Sequence, residues 1–162
     1  MLDNLTRLDE DEIQELYDAI PVITLLIAGA DGEIDDLELA HSEKITKIRG
    51  FSGHETMQDF YDKVGEDYSE RLKRWLKVVP QDTEERTNHL SARIEKLNPI
   101  LAKLDPESGA RMYKSLTSFA KHVAKASGGF LGIGSINKAE AELMDLPMLT
   151  PIVVEEEDEE EV

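Results

Sequence analysis

The chain has 162 residues, 18 Lys and Arg against 35 Asp and Glu, a formal net charge of −17 and no cysteine. That length suits one domain able to bury roughly 70% of its unfolded surface, and the absence of Cys excludes disulfide frameworks, thiolate zinc sites and thiol catalysis. With 40% hydrophobic but only 6% aromatic residues, the core has to be mainly aliphatic.

In chain order, the acidic opening Met1 to Arg7 lacks the basic-then-apolar pattern of a secretory signal, which points to a cytoplasmic protein. Ile13, Leu16, Tyr17 and Ile20 then recur at the i, i+3, i+4, i+7 spacing of one buried helical face. Pro21 restarts or kinks that helix, and the run from Val22 to Ala28 is apolar nearly all round, which predicts a central helix packed on several sides. The apolar run from Ile20 to Ala30 is too short for a bilayer, which needs ~20 residues, so no transmembrane segment is expected. Gly32 is placed to supply a left-handed exit after Ala30-Asp31.

Asp35 with Glu38 forms a capping-box pattern for the next helix, with Ile34 and Leu39 as a hydrophobic staple. That helix is expected to turn Leu37, His41, Ile45 and Ile48 inward and to stop near Gly50. Ser52 with Glu55 opens a helix with Met57, Phe60, Tyr61 and Val64 inward, and Ser69 caps a short one bearing Leu72, Trp75, Leu76 and Val79, which ends at Pro80. Asp82 with Glu85 caps a longer helix whose stripe, Leu90, Ile94, Leu97, Leu101 and Leu104, stays in phase across a kink at Asn98-Pro99. Asp105-Pro106 starts the helix of Met112, Leu116, Phe119, Ala120 and Val123, which ends at Ser127-Gly128-Gly129. A last short helix runs from Asn137 to about Leu146 and is stopped by Pro147. No segment alternates with period two, so the fold class is all-α: a helical bundle of about seven helices. One domain is expected over residues 1–150, followed by a disordered acidic tail over 151–162.

Charge is segregated along the chain. Residues 1–43 carry 13 acids and a single base, and 155–161 are seven consecutive acids, whereas 71–125 hold 12 bases against 6 acids. Acid at both ends argues against nucleic acid, whose binding is driven by neutralising phosphates.

Gly32-Glu33-Ile34-Asp35-Asp36-Leu37-Glu38 is echoed by Gly134-Ser135-Ile136-Asn137-Lys138-Ala139-Glu140, a degenerate helix-turn-helix duplication. Ile, Asx and Glu recur, as helix starts require, but charge does not: Asp31, Glu33 and Asp36 face Ser127, Ser135 and Lys138. The first copy therefore holds more carboxylate than capping uses. Such crowding persists where it is solvated, opposed by a basic surface or neutralised by a cation. An all-oxygen cluster suits Ca²⁺ or Mg²⁺, although a complete EF-hand is excluded because its first and third positions would be Ile27 and Gly29.

The run Ile23 to Glu38, with its Ala30-Asp31-Gly32-Glu33-Ile34-Asp35-Asp36-Leu37-Glu38 turn, resembles the N-terminal signature of the TerB-like (tellurite-resistance protein B) helical domain family, which also has a relative in the DjlA co-chaperone. The stretch Phe119 to Gly134 is similar to that family's Gly-rich segment. The resemblance covers roughly residues 10–146, with no quotable motif over 50–105. It implies an all-helical bundle with internal repetition, a cytoplasmic stress-response context and protein partners such as other stress-response or membrane-associated resistance proteins. It also implies an acidic face that binds metal or partners, here Asp31, Glu33, Asp35, Asp36 and Glu38, with only Glu140 retained in the second copy.

The expected function is thus a non-enzymatic module whose turn 31–38 binds a divalent cation, a basic protein partner or both, with a metal-free adaptor as the alternative. A hydrolase is the least supported reading. His54-Glu55-Thr56-Met57-Gln58 lacks the second ligand of a zinc protease motif, and no nucleophile group is visible. His41 is read as a core histidine, and Trp75 as a core residue beside a solvated basic face of Arg71, Lys73, Arg74 and Lys77. The glycines from 128 to 134 carry no phosphate-binding pattern.

Overall fold

A computed structural model describes residues 2–34, 36–52, 55–130 and 138–154, with side chains omitted for 2–4, 51–52, 55–56 and 127–130. The described residues form an opening 3-10 turn, Leu2–Arg7, and seven α-helices with no strand: α1 Glu10–Ala28, α2 Asp36–Ser52, α3 Glu55–Val78, α4 Thr83–Glu95, α5 Leu97–Lys103, α6 Pro106–Phe130 and α7 Lys138–Leu143. The all-α bundle expected from the periodicity is what the chain adopts.

Helix α1 is the axle of the bundle. Asp9 caps it through a reciprocal box with Glu12, at 2.9 and 3.1 Å. From Leu16 onward nearly every residue is buried, and the helix touches all six others. Pro21 does not restart it: α1 is assigned as one unbroken helix. Neighbours on every side hold this segment, so one missing N–H is outweighed by packing.

The helix expected to start at Ser69 follows a kink at Asp67 (φ −132°, ψ 21°), where two helical stretches meet within α3. Two other expectations are corrected. Helix α6 passes its Gly pair and runs to Phe130. In α2 the buried face is rotated: Leu39, Ser42 and Thr46 are inside and Ile45 packs partly on the core, while Leu37 and Ile48 are 54% and 51% exposed and His41 faces solvent. Burying two hydroxyls is possible because each finds a partner. Ser42 Oγ donates to the Leu39 carbonyl and pairs with the Tyr68 hydroxyl at 2.7 Å, Thr46 Oγ1 donates to the Ser42 carbonyl, and Thr24 of α1 meets the same Tyr68 oxygen at 2.9 Å. Tyr68 thereby joins α1, α2 and α3.

Other local signals hold. Asp82 accepts from Glu85 N, Asp105 accepts from Ser108 N, and the Leu90 to Leu104 stripe is buried; the interruption expected at Asn98-Pro99 falls instead at Lys96 between α4 and α5. Helix α7 ends at Leu143, short of the expected Leu146, which takes φ 49° and buries its side chain. Packing extends slightly past residue 150, because Ile152 lies against the core and the Gly109 backbone of α6. The acidic run 155–161, Asp35, and the Gly134–Asn137 half of the internal echo lie outside the described residues.

Candidate functional site

The acidic turn follows the C-terminus of α1 and is anchored from α4. Gly29 N donates to the Leu25 carbonyl at 3.0 Å, and Gly32 N donates back to the Gly29 carbonyl at 3.1 Å. Gly32 has φ 100°, the left-handed conformation that the sequence reading assigned to it. A Cβ at Gly29 would lie 2.8 Å from the Leu25 carbonyl oxygen and 3.0 Å from Arg86 Nε, so a side chain is excluded there.

Arg86 is the anchor. Only 6% exposed, it donates Nη2 to the Gly29 carbonyl at 2.9 Å and Nη1 to the Gln81 carbonyl at 3.3 Å. Among the described residues it pairs with no carboxylate. Its charge instead meets the carbonyl end of α1, where the helix dipole favours a cation.

Above this fixed backbone stand the carboxylates. Asp31, Glu33 and Asp36 are exposed; Glu38 is partly buried in the first turn of α2. Asp31 Oδ1 accepts from Glu33 N at 3.1 Å, closing a local Asx turn. Asp31, Glu33 and Asp36 form no ion pair among the described residues.

On α1 three acids are matched by base from another helix. Glu12 meets Lys103 at 2.6 Å, Glu15 meets Arg93, and Asp18 meets Arg71 at 2.9 Å. Among the described residues no three Asp, Glu or His side chains come together as ligands for an ion, and Asp35 is outside that description. Glu140, the one acid kept in the second copy, is buried in the first turn of α7.

The basic face near Trp75 is smaller than expected. Lys73, Arg74 and Lys77 are exposed, but Arg71 is buried and bonded to Gln14, Asp18 and Asp67. Trp75 packs partly on the core with the Arg93 guanidinium 5.1 Å from its ring centroid.

A second polar cluster escaped the sequence reading. Arg49, near the end of α2, donates to the Tyr61 hydroxyl at 3.2 Å, the Ser115 carbonyl at 3.3 Å and Ser118 Oγ at 3.1 Å, and stacks over the Tyr61 and Phe119 rings. Burial pushes the Tyr61 phenol up, opposed by the neighbouring Arg49. The one signal available was the spacing of Ser115, Ser118 and His122 on a single face of α6; nothing in the sequence paired that face with Arg49.

Described residues include no helix long and apolar enough to cross a membrane. No family model, curated protein or solved structure matches the chain.

Proposed function

We propose that the chain is a non-enzymatic binding module of the tellurite-resistance, stress-response type, and that its acidic turn docks a basic segment of a partner protein. The observation that supports this reading is the contrast between anchored backbone and unmatched charge. Arg86 and two glycines hold the turn, while Asp31, Glu33 and Asp36 face solvent without ion pairs among the described residues. A rigid display of like charge loses little entropy on binding and gains most from a cationic partner.

A divalent cation is the second reading, favoured by the density of oxygen donors when Asp35 and Glu38 are added to these three. Ca²⁺ or Mg²⁺ would then be the ion.

One substitution set separates the readings: Asp31→Asn, Glu33→Gln and Asp36→Asn together. The native protein is expected to capture a lysine-rich peptide in chelator, with capture lost in ~1 M salt, where the Debye length falls to ~3 Å. The triple variant keeps the seven-acid terminal run, so any difference between the two proteins reports the turn alone. Equal capture by both proteins refutes the docking reading. Calorimetric heat on adding Ca²⁺ or Mg²⁺, present in the native chain and absent in the variant, selects the cation instead.

A further inference from the structure

The C-terminal part of α2 is held to α6 by a contact that one proton can break. Arg49 Nη2 lies 2.6 Å from His122 Nδ1. A guanidinium carries donors only and keeps its charge, so Nδ1 has to be the lone-pair nitrogen and the ring hydrogen has to sit on Nε2. The same guanidinium also holds the Tyr61 hydroxyl of α3 and the Ser115 carbonyl and Ser118 hydroxyl of α6. Three helices thus meet on one arginine, and His122 closes the ring of acceptors.

We propose that the Arg49–His122 contact is an acid-sensitive latch, closed when the imidazole is neutral and opened by protonation of Nδ1, which loosens the last turns of α2 against α6 while the Arg49 bonds to Ser115 and Ser118 remain. A proton on Nδ1 replaces the acceptor with a donor and sets two cations at hydrogen-bond distance. Among the described residues no acidic group acts on the ring. The charge facing the ring from α2 is Arg49, and from α6 itself Lys125. Tyr61 of α3 reaches the same guanidinium, and Asp145 beyond α7 pairs with Lys121 at 3.5 Å. His122 is exposed, but partial desolvation first, then Arg49 and Lys125, hold its imidazole below the ordinary value of 6.5.

The sign follows from linkage. A group that is harder to protonate when folded contributes stability above its unfolded value, and that contribution is lost as pH falls below ~6.5 and through the lower folded value. This window lies above the ordinary carboxylate range, so it reports imidazole.

The test is a titration of the full chain from pH ~8 to ~5, following the imidazole nitrogens by NMR and α2 by hydrogen exchange. His122 is expected to show the Nε2–H tautomer and to titrate below 6.5. Amides of residues 47–50 should exchange roughly three- to tenfold faster in acid after correction for intrinsic rates, while those of α1 do not change. His122→Gln supplies a non-titrating acceptor, so its α2 should show no acid-dependent loosening. An Nδ1–H tautomer, titration at or above the ordinary value, or the same acid loosening in His122→Gln overturns the latch. If that variant fails to fold, the native tautomer and titration decide the matter alone.

Discussion

Replacing Arg86 by methionine removes the donor that reaches the Gly29 carbonyl at the acidic turn, and the one that reaches the Gln81 carbonyl, while filling nearly the same space. The bond to the Gly29 carbonyl is short, buried and charge-assisted, a class that contributes ~1.5–3 kcal/mol, whereas the 3.3 Å bond to the Gln81 carbonyl adds less. Two effects reduce the total. The Gly29 oxygen keeps its bond from Gly32 N, so it is not left without a partner. Methionine also avoids the desolvation cost of a buried guanidinium, which often cancels much of what a buried charge contributes. The net expected loss is about 2 kcal/mol, which for a chain of this size lowers Tm by roughly 4–8 °C. Arg86→Ala should lose a further ~1–2 kcal/mol because it also leaves a cavity. Circular dichroism through thermal and urea unfolding measures both variants. A methionine variant within ~0.5 kcal/mol of native would refute the assignment of Arg86 as the anchor of the turn.

Tyr68→Phe should cost about 1–2 kcal/mol, since Thr24 and Ser42 lose their shared oxygen yet keep backbone acceptors. Burial pushes the Tyr68 phenol up to about 12, so stability should fall as pH rises from 10.0 toward that value, and chemical unfolding in the Phe variant should show a shallower slope. A remaining slope is expected because Tyr17 and Tyr61 are raised as well, both chiefly by burial. The rotated register of α2 is checked by a pair of alanine variants: Leu39→Ala should cost ~2–4 kcal/mol, and Leu37→Ala less than ~0.5 kcal/mol, in the same urea assay. The reverse ranking would restore the register expected from apolar spacing.

What the chain determined locally can be read in its elements. An aliphatic run too uniform for one face makes α1 central, because only burial on several sides removes that much apolar surface from water. Asp9, Asp82 and Asp105 cap helices through residues three positions away, and Gly32 bends where a left-handed residue is needed. Interactions of this range depend on neighbours in the chain, so spacing reveals them.

Tertiary structure decided the rest. The inward face of α2 depends on a tyrosine 26 residues beyond Ser42, and without that partner a buried hydroxyl would be costly, so apolar periodicity selected the wrong side. Gly29 is separated from Arg86 by 57 residues, and Arg49 from His122 by 73. Composition does reveal the surplus of carboxylate near residues 31–38. Which acids are matched by base and which stand unopposed on an anchored backbone is set by how helices pack, because charge pairing acts through space rather than along the chain.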